Sequence, residues 1–91
     1  MMVTVLIPGV LRACCDGARE LTLSAATVRA ALEQLELSHP QLHRSVCDET
    51  GAVRRHVNLF VNSDNIRDGV GLDTALASGD IIIIMPAVSG G

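Results

Sequence analysis

Apolar and polar positions alternate with a period of two at three places along the chain. Val3, Val5 and Ile7 share one face of a strand predicted over residues 2–8, with Thr4 and Leu6 on the other, and Pro8-Gly9 ends it. Leu21 and Leu23 repeat the pattern within residues 19–24, so a hairpin is expected around a loop over residues 10–18. Over residues 55–62, Val57, Leu59 and Val61 alternate with His56, Asn58 and Phe60 and mark a third long strand. Residues 81–85, Ile-Ile-Ile-Ile-Met, have no polar position and describe a buried final strand. Pro86 has no N–H for a ladder, so pairing is expected to stop there.

A helical period occurs once at length. Val28, Ala31, Leu32 and Leu35 form one stripe over residues 27–37, with Arg29, Glu33 and Glu36 opposite. Ser38-His39-Pro40-Gln41 has the form of a capping box, which predicts a short second helix over residues 39–46. Residues 48–54 are polar around Gly51 and read as an exposed loop. Asn62-Ser63-Asp64-Asn65 is turn chemistry, Ile66 anchors a short edge segment, and residues 67–71 form a tight loop. Those glycines lack the following Gly-Lys-Ser/Thr of a phosphate loop. Leu72 and Leu76 predict a single helical turn over residues 72–77, and Gly79-Asp80 turns the chain into the final strand. Periodicity alone therefore gives an α+β domain of four or five strands and one main helix. If Ile82 and Ile84 face that helix, Ile81, Ile83 and Met85 face away, near Phe60. These four residues are the candidate partner-binding patch.

Composition narrows the function. The 91 residues allow one small domain, burying about 60–65% of the surface its unfolded chain exposes, and the 48% hydrophobic content supports a packed core. Seven Arg, no Lys and ten acidic residues give a net charge of −3, and Phe60 is the sole aromatic. Nucleic-acid binding has neither its basic stripe nor its stacking residues. No Gly-x-Ser-x-Gly, Ser-His-Asp order or close carboxylate pair is present, so the chain is not expected to be an enzyme. His39, His43 and Cys47 are spaced by four, as metal ligands on one helix could be. No fourth ligand accompanies them, the last falls past the predicted helix end, and exposed surface histidines account for the pattern, so no metal is expected. Cys14, Cys15 and Cys47 are odd in number with no C-x-x-C spacing, which fits a reduced, cytoplasmic protein. Leu11-Arg12-Ala13-Cys14 resembles a lipoprotein cleavage site, but no basic residue precedes the apolar run and Pro8-Gly9 breaks it. No stretch approaches the roughly 20 apolar residues of a membrane span.

After the last strand comes Pro86-Ala87-Val88-Ser89-Gly90-Gly91, uncharged and small throughout. Fully extended, these six residues would reach roughly 20 Å, enough to thread a narrow channel in another protein. The last two carry no Cβ and leave the terminal carboxylate unhindered. The expected organisation is a body over residues 1–85 and a flexible tail over residues 86–91.

The tail, Gly79-Asp80, the apolar final strand, Val3-Thr4-Val5, Val57-Asn58-Leu59-Phe60-Val61-Asn62 and Gly71-Leu72-Asp73-Thr74-Ala75-Leu76 together resemble the MoaD/ThiS family of ubiquitin-like sulfur carriers. The likeness is greatest to the branch serving cysteine-type biosynthesis. It implies a β-grasp fold, with the first and last strands parallel at the centre of a mixed sheet packed on the main helix. It also implies that a MoeB-like or ubiquitin-activating-like enzyme uses ATP to adenylate the Gly91 carboxylate. A persulfide or sulfide would then convert Gly91 to a thiocarboxylate, which passes its sulfur to an accepting synthase. In that scheme Gly90, Ser89, Val88 and Ala87 position Gly91, and the chain binds no cofactor itself. Ser89 stands where the family commonly has another small residue, with no change of chemistry expected. The small subunit of molybdopterin synthase and a protein-modifying tag share the fold and tail, and remain the alternatives. Without lysine, the chain cannot build ubiquitin-like chains of itself.

Overall fold

The computed structural model describes residues 1–86, so the expected roles of Ala87, Val88, Ser89, Gly90 and Gly91 lie outside the described residues. The strands are β1 (Met2–Leu6), β2 (Glu20–Ser24), β3 (Val57–Val61), β4 (Asp64–Asn65) and β5 (Ile81–Pro86), and the helices are α1 (Val28–Ser38) and α2 (Pro40–Val46). They form one sheet in the order β2-β1-β5-β3-β4. β1 runs antiparallel to β2 and parallel to β5, with Val5 opposite Ile82 and Leu6 opposite Ile83. β5 runs antiparallel to β3, with Leu59 opposite Ile84. This is the β-grasp, and its last strand joins two antiparallel halves.

The alternation of period two sorts side chains as expected. Val3, Val5 and Ile7 from the first segment, Val57, Leu59 and Val61 from β3, and Ile82 and Ile84 from β5 are buried with Val28, Ala31, Leu32 and Leu35 of α1. Leu21 and Leu23 face the same way but are only half-buried, because β2 is a sheet edge. α1 starts where Thr27 Oγ1 accepts a 3.2 Å hydrogen bond from the Ala30 N–H, satisfying a donor with no partner inside the helix. Replacing Thr27 with Ala should lower stability by about 1 kcal/mol, read as a lower midpoint in urea with an unchanged slope.

Four local expectations change. Residues 9–15 are a 3₁₀ helix, Gly9–Cys15, rather than loop. Leu11, Cys14 and Cys15 lie three and four apart, and they turn an apolar stripe inward against the core. The run ends at Asp16, whose φ of 55° is followed by Gly17 at 82°, a left-handed pair that glycine makes inexpensive. The capping box at Ser38 does not form. Ser38 is the last residue of α1 and donates its hydroxyl to the Gln34 carbonyl, while α2 is opened by Pro40 at its first turn. The helical turn expected over residues 72–77 is a 3₁₀ turn at Gly71–Asp73. Thr74 closes it through its N–H and hydroxyl on the Gly71 carbonyl, after which Ala75 bridges Thr27 and the chain runs extended. Finally, Pro86 lies within β5, opposite Val57, one residue beyond the expected end of pairing.

Candidate docking face and tail exit

β5 is apolar on both faces, and among the described residues the sheet has helices on only one of them. Ile82 and Ile84 are each 2% exposed beneath α1, whereas Ile81 is 38% and Met85 50% exposed on the far face. Ile83 lies between Leu6 of β1 and Phe60 of β3, both partly buried, so these three form a row across the middle of the sheet. The structure thus brings together Phe60, Ile81, Ile83 and Met85 as expected, and adds Leu6. Leu6 was legible as a far-face residue, but its alignment with Ile83 depends on the parallel β1–β5 register. Around the row sit Thr4, Thr22, Asn58 and Asn65. An apolar centre with a polar margin is the usual anatomy of a protein-binding patch.

The start of β5 is held in register by a clamp. Asn62, at a φ of 58°, receives the Ile81 N–H on its side-chain oxygen at 3.1 Å and donates its own N–H to the Ile81 carbonyl at 2.7 Å. Asp80 accepts from the Ala77 N–H at 2.8 Å and from Asn62 Nδ2 at 3.2 Å, and these bonds hold its carboxyl below the ordinary value. The other end of β5 leads toward Gly91. There Val57 pairs with Pro86, and the Val57 N–H bonds the Arg54 carbonyl at 3.0 Å. Arg67, which sequence reasoning did not single out, spans this corner. Its Nη1 donates to Asn58 Oδ1 at 2.6 Å and its Nη2 to the Arg54 carbonyl at 2.9 Å.

Among the described residues no polar or charged side chain is buried, and no group of three or more His, Cys, Asp or Glu residues is arranged to hold a metal ion. Cys47 caps the C-terminus of α2, past its last helical residue. The histidines are not simply exposed, because His43 is packed to 13% side-chain exposure with Nδ1 3.9 Å from Glu36 Oε2. A cleft of about 720 Å³ beside α1 and α2 is lined by both signs of charge, including Glu33, Glu36, Arg44 and Arg54. No described helix is long and apolar enough to cross a membrane.

All three cysteines are free, with Cys15 and Cys47 buried. Burial foremost, then the neighbouring Asp48 carboxylate, pushes the Cys47 thiol from 9.0 up to about 11, and burial likewise raises Cys15. The native thiols therefore hold their protons where an unfolded chain would release them. Stability from this source is present below pH 9.0 and is lost as pH rises toward about 11. At pH 8, iodoacetamide should label Cys47 slowly in the native protein and rapidly in denaturant, as peptide mass mapping would register.

The sequence profile of the ThiS family matches residues 5–91, and so includes the residues beyond β5. The sulfur carrier protein CysO of Mycobacterium tuberculosis is 38% identical over 93 residues, covering 100% of both chains. A chain of the Amycolatopsis orientalis BexX/CysO complex superposes with a TM-score of 0.89 at 32% identity, covering 98% of this chain and 99% of that one. Small archaeal modifier protein 1 of Haloferax volcanii is 36% identical over 66 residues, covering 72% of this chain and 71% of that one. The profile takes in all but the first four residues, and on that extent the chain belongs to the ThiS family, as a homologue of the sulfur carrier CysO.

Proposed function

We propose that this chain is a cytoplasmic sulfur carrier that acts as a co-substrate of partner enzymes. The observation that carries the reading is its end-to-end likeness to a sulfur carrier protein, with Gly91 inside the family match. In the first step the Gly91 carboxylate attacks the α-phosphorus of ATP on a MoeB-like activating enzyme. Pyrophosphate leaves and an acyl-adenylate forms, so an unreactive anion becomes an electrophile. Hydrosulfide then adds to the acyl carbon and AMP departs, leaving the thiocarboxylate. If the donor is a persulfide, its outer sulfur makes that bond, and a thiol of the donor or activating enzyme cleaves the remaining S–S bond. The thiocarboxylate is a soft nucleophile that can attack an activated acceptor in a synthase, and cysteine or another sulfur-containing metabolite is the destination.

The body's part in this scheme is to dock. The row Leu6, Ile83 and Phe60, with Ile81 and Met85 beside it, would seat the activating enzyme while Ala87, Val88, Ser89 and Gly90 deliver Gly91 into its channel. The test is intact-mass spectrometry after incubation with ATP, the activating enzyme and a sulfur donor. One oxygen should be exchanged for one sulfur, and tandem fragmentation should place it on Gly91. Sulfur found only on a cysteine would overturn the reading. The partial likeness to small archaeal modifier protein 1 favours a second reading, conjugation of Gly91 to lysines of other proteins. That reading expects covalent adducts of higher mass in cell extract.

A further inference from the structure

Arg67 stands at the corner where the far face of the sheet meets the end of β5. Its backbone is fixed by Asn65, whose Oδ1 accepts the Arg67 N–H at 3.0 Å. Its guanidinium is fixed by Asn58, which is opposite Met85, and by the carbonyl of Arg54, which also receives the N–H of Val57, opposite Pro86. Two of its donors are thus used to hold the group at the start of β3, the stretch that pairs with the last two residues of β5, and the others remain for a partner. Among the described residues the ion pairs are Arg29 with Asp73 and His43 with Glu36, so this guanidinium is held in place by neutral oxygens and pairs with no described carboxylate. Arg55, exposed and next in sequence to Arg54, adds a second cation two residues before β3. Arg54 is different, since its charge already acts on Asp48.

We infer that Arg67, supported by Arg55, receives a carboxylate on the activating enzyme at the mouth of the channel that takes residues 87–91. This rests on the sulfur-carrier reading. Any enzyme that takes those residues must press against the end of β5, and Arg67 sits one strand away, across the β3 residues paired with that end. Extended into a channel, the five residues after Pro86 reach about 16 Å, which would carry a nucleotide engaged with Gly91 well away from the arginine. The charge is also locally opposite to the chain's net −3. A fixed planar cation on the rim of an apolar patch suits a carboxylate, which it can meet through two parallel hydrogen bonds. Rim charges act chiefly on encounter rate and salt dependence, as suits a substrate that must bind, react and leave.

The test is pyrophosphate exchange into ATP by the MoeB-like enzyme of the same genome, with the carrier as varied substrate at low and high ionic strength. Arg67→Glu should lower kcat/KM by roughly tenfold or more at low salt, leave kcat at saturation nearly unchanged, and flatten the salt dependence. Arg67→Lys should fall between the two. Arg55→Glu should show a smaller loss of the same kind, and it touches no side-chain hydrogen bond of the fold. Arg29→Glu, the same charge change on the first turn of α1, is the control. Arg67→Glu matching Arg29→Glu, or a loss seen only when sulfur passes to the acceptor, would overturn the inference while wild-type activation left the carrier reading intact. Wild-type protein that is never adenylated would overturn both.

Discussion

One extra residue after Gly91 is expected to abolish thiocarboxylate formation unless a protease removes it. Side-chain carboxylates cannot substitute, because the described ones sit on the folded surface while Gly91 follows a run of small uncharged residues that could enter a channel. Docking of the body fixes where the chain enters that channel, and the length from Pro86 to Gly91 then decides where the carboxylate arrives. An added residue shifts it by about 3.3 Å, and a misplacement near 1 Å can already cost about a hundredfold in rate. Stability should stay within about ±0.5 kcal/mol, as for surface changes generally. Gly90→Ala is a milder version, slowing activation without blocking it, since one Cβ meets the wall of a close-fitting channel. Intact-mass spectrometry reads both variants. Sulfur on the extended chain, with the extra residue still attached, would refute the requirement for Gly91 as the terminus.

Phe60→Ala should reduce activation almost as visibly while leaving the fold in place. The ring lies at the β3 end of the row with Ile83 and Leu6, and an aromatic anchor of an interface is commonly worth about 2 kcal/mol, roughly thirtyfold in kcat/KM. Its loss should cost the fold only about 1 kcal/mol, because the ring is partly exposed and lies on the face away from α1. Pyrophosphate exchange reports the first quantity and urea denaturation the second. Unchanged exchange by a folded variant would remove the far face from the docking surface. Unfolding of the variant would make Phe60 a core residue instead.

Much of this architecture was readable in the sequence, because long alternating or helical patterns report burial directly. Val57, Leu59 and Val61, or Val28, Ala31, Leu32 and Leu35, leave little choice of face. What was missed lies where several local patterns fit the same residues. Ser38 could cap a new helix or finish the old one, and the hydroxyl bond to Gln34 favoured the latter. Leu72 and Leu76 suggested a helical turn, yet Leu76 is buried from an extended run, with its N–H on the Ala26 carbonyl. On the far face of the sheet, Phe60 and the outward residues of β5 followed from alternation alone. Leu6 and Arg67 did not, since one depends on strand register and the other on a side chain reaching across to Asn58 and Arg54.

The central position of β5 also ties the chain's chemistry to the order in which it is made. β1 and β5 come from opposite ends of the sequence, so their pairing is a long-range contact of the kind that slows folding. During synthesis the β1–β2 hairpin and the β3–β4 pair can form early, but they cannot share a sheet until the strand between them emerges. The residues that follow that strand emerge last. A nascent chain or one cut short before β5 therefore lacks both the central row of the far face and the Gly91 carboxylate that the proposed chemistry needs. On the sulfur-carrier proposal, folding in this way would act as a gate on activation, since the strand that completes the sheet is the one that leads to Gly91.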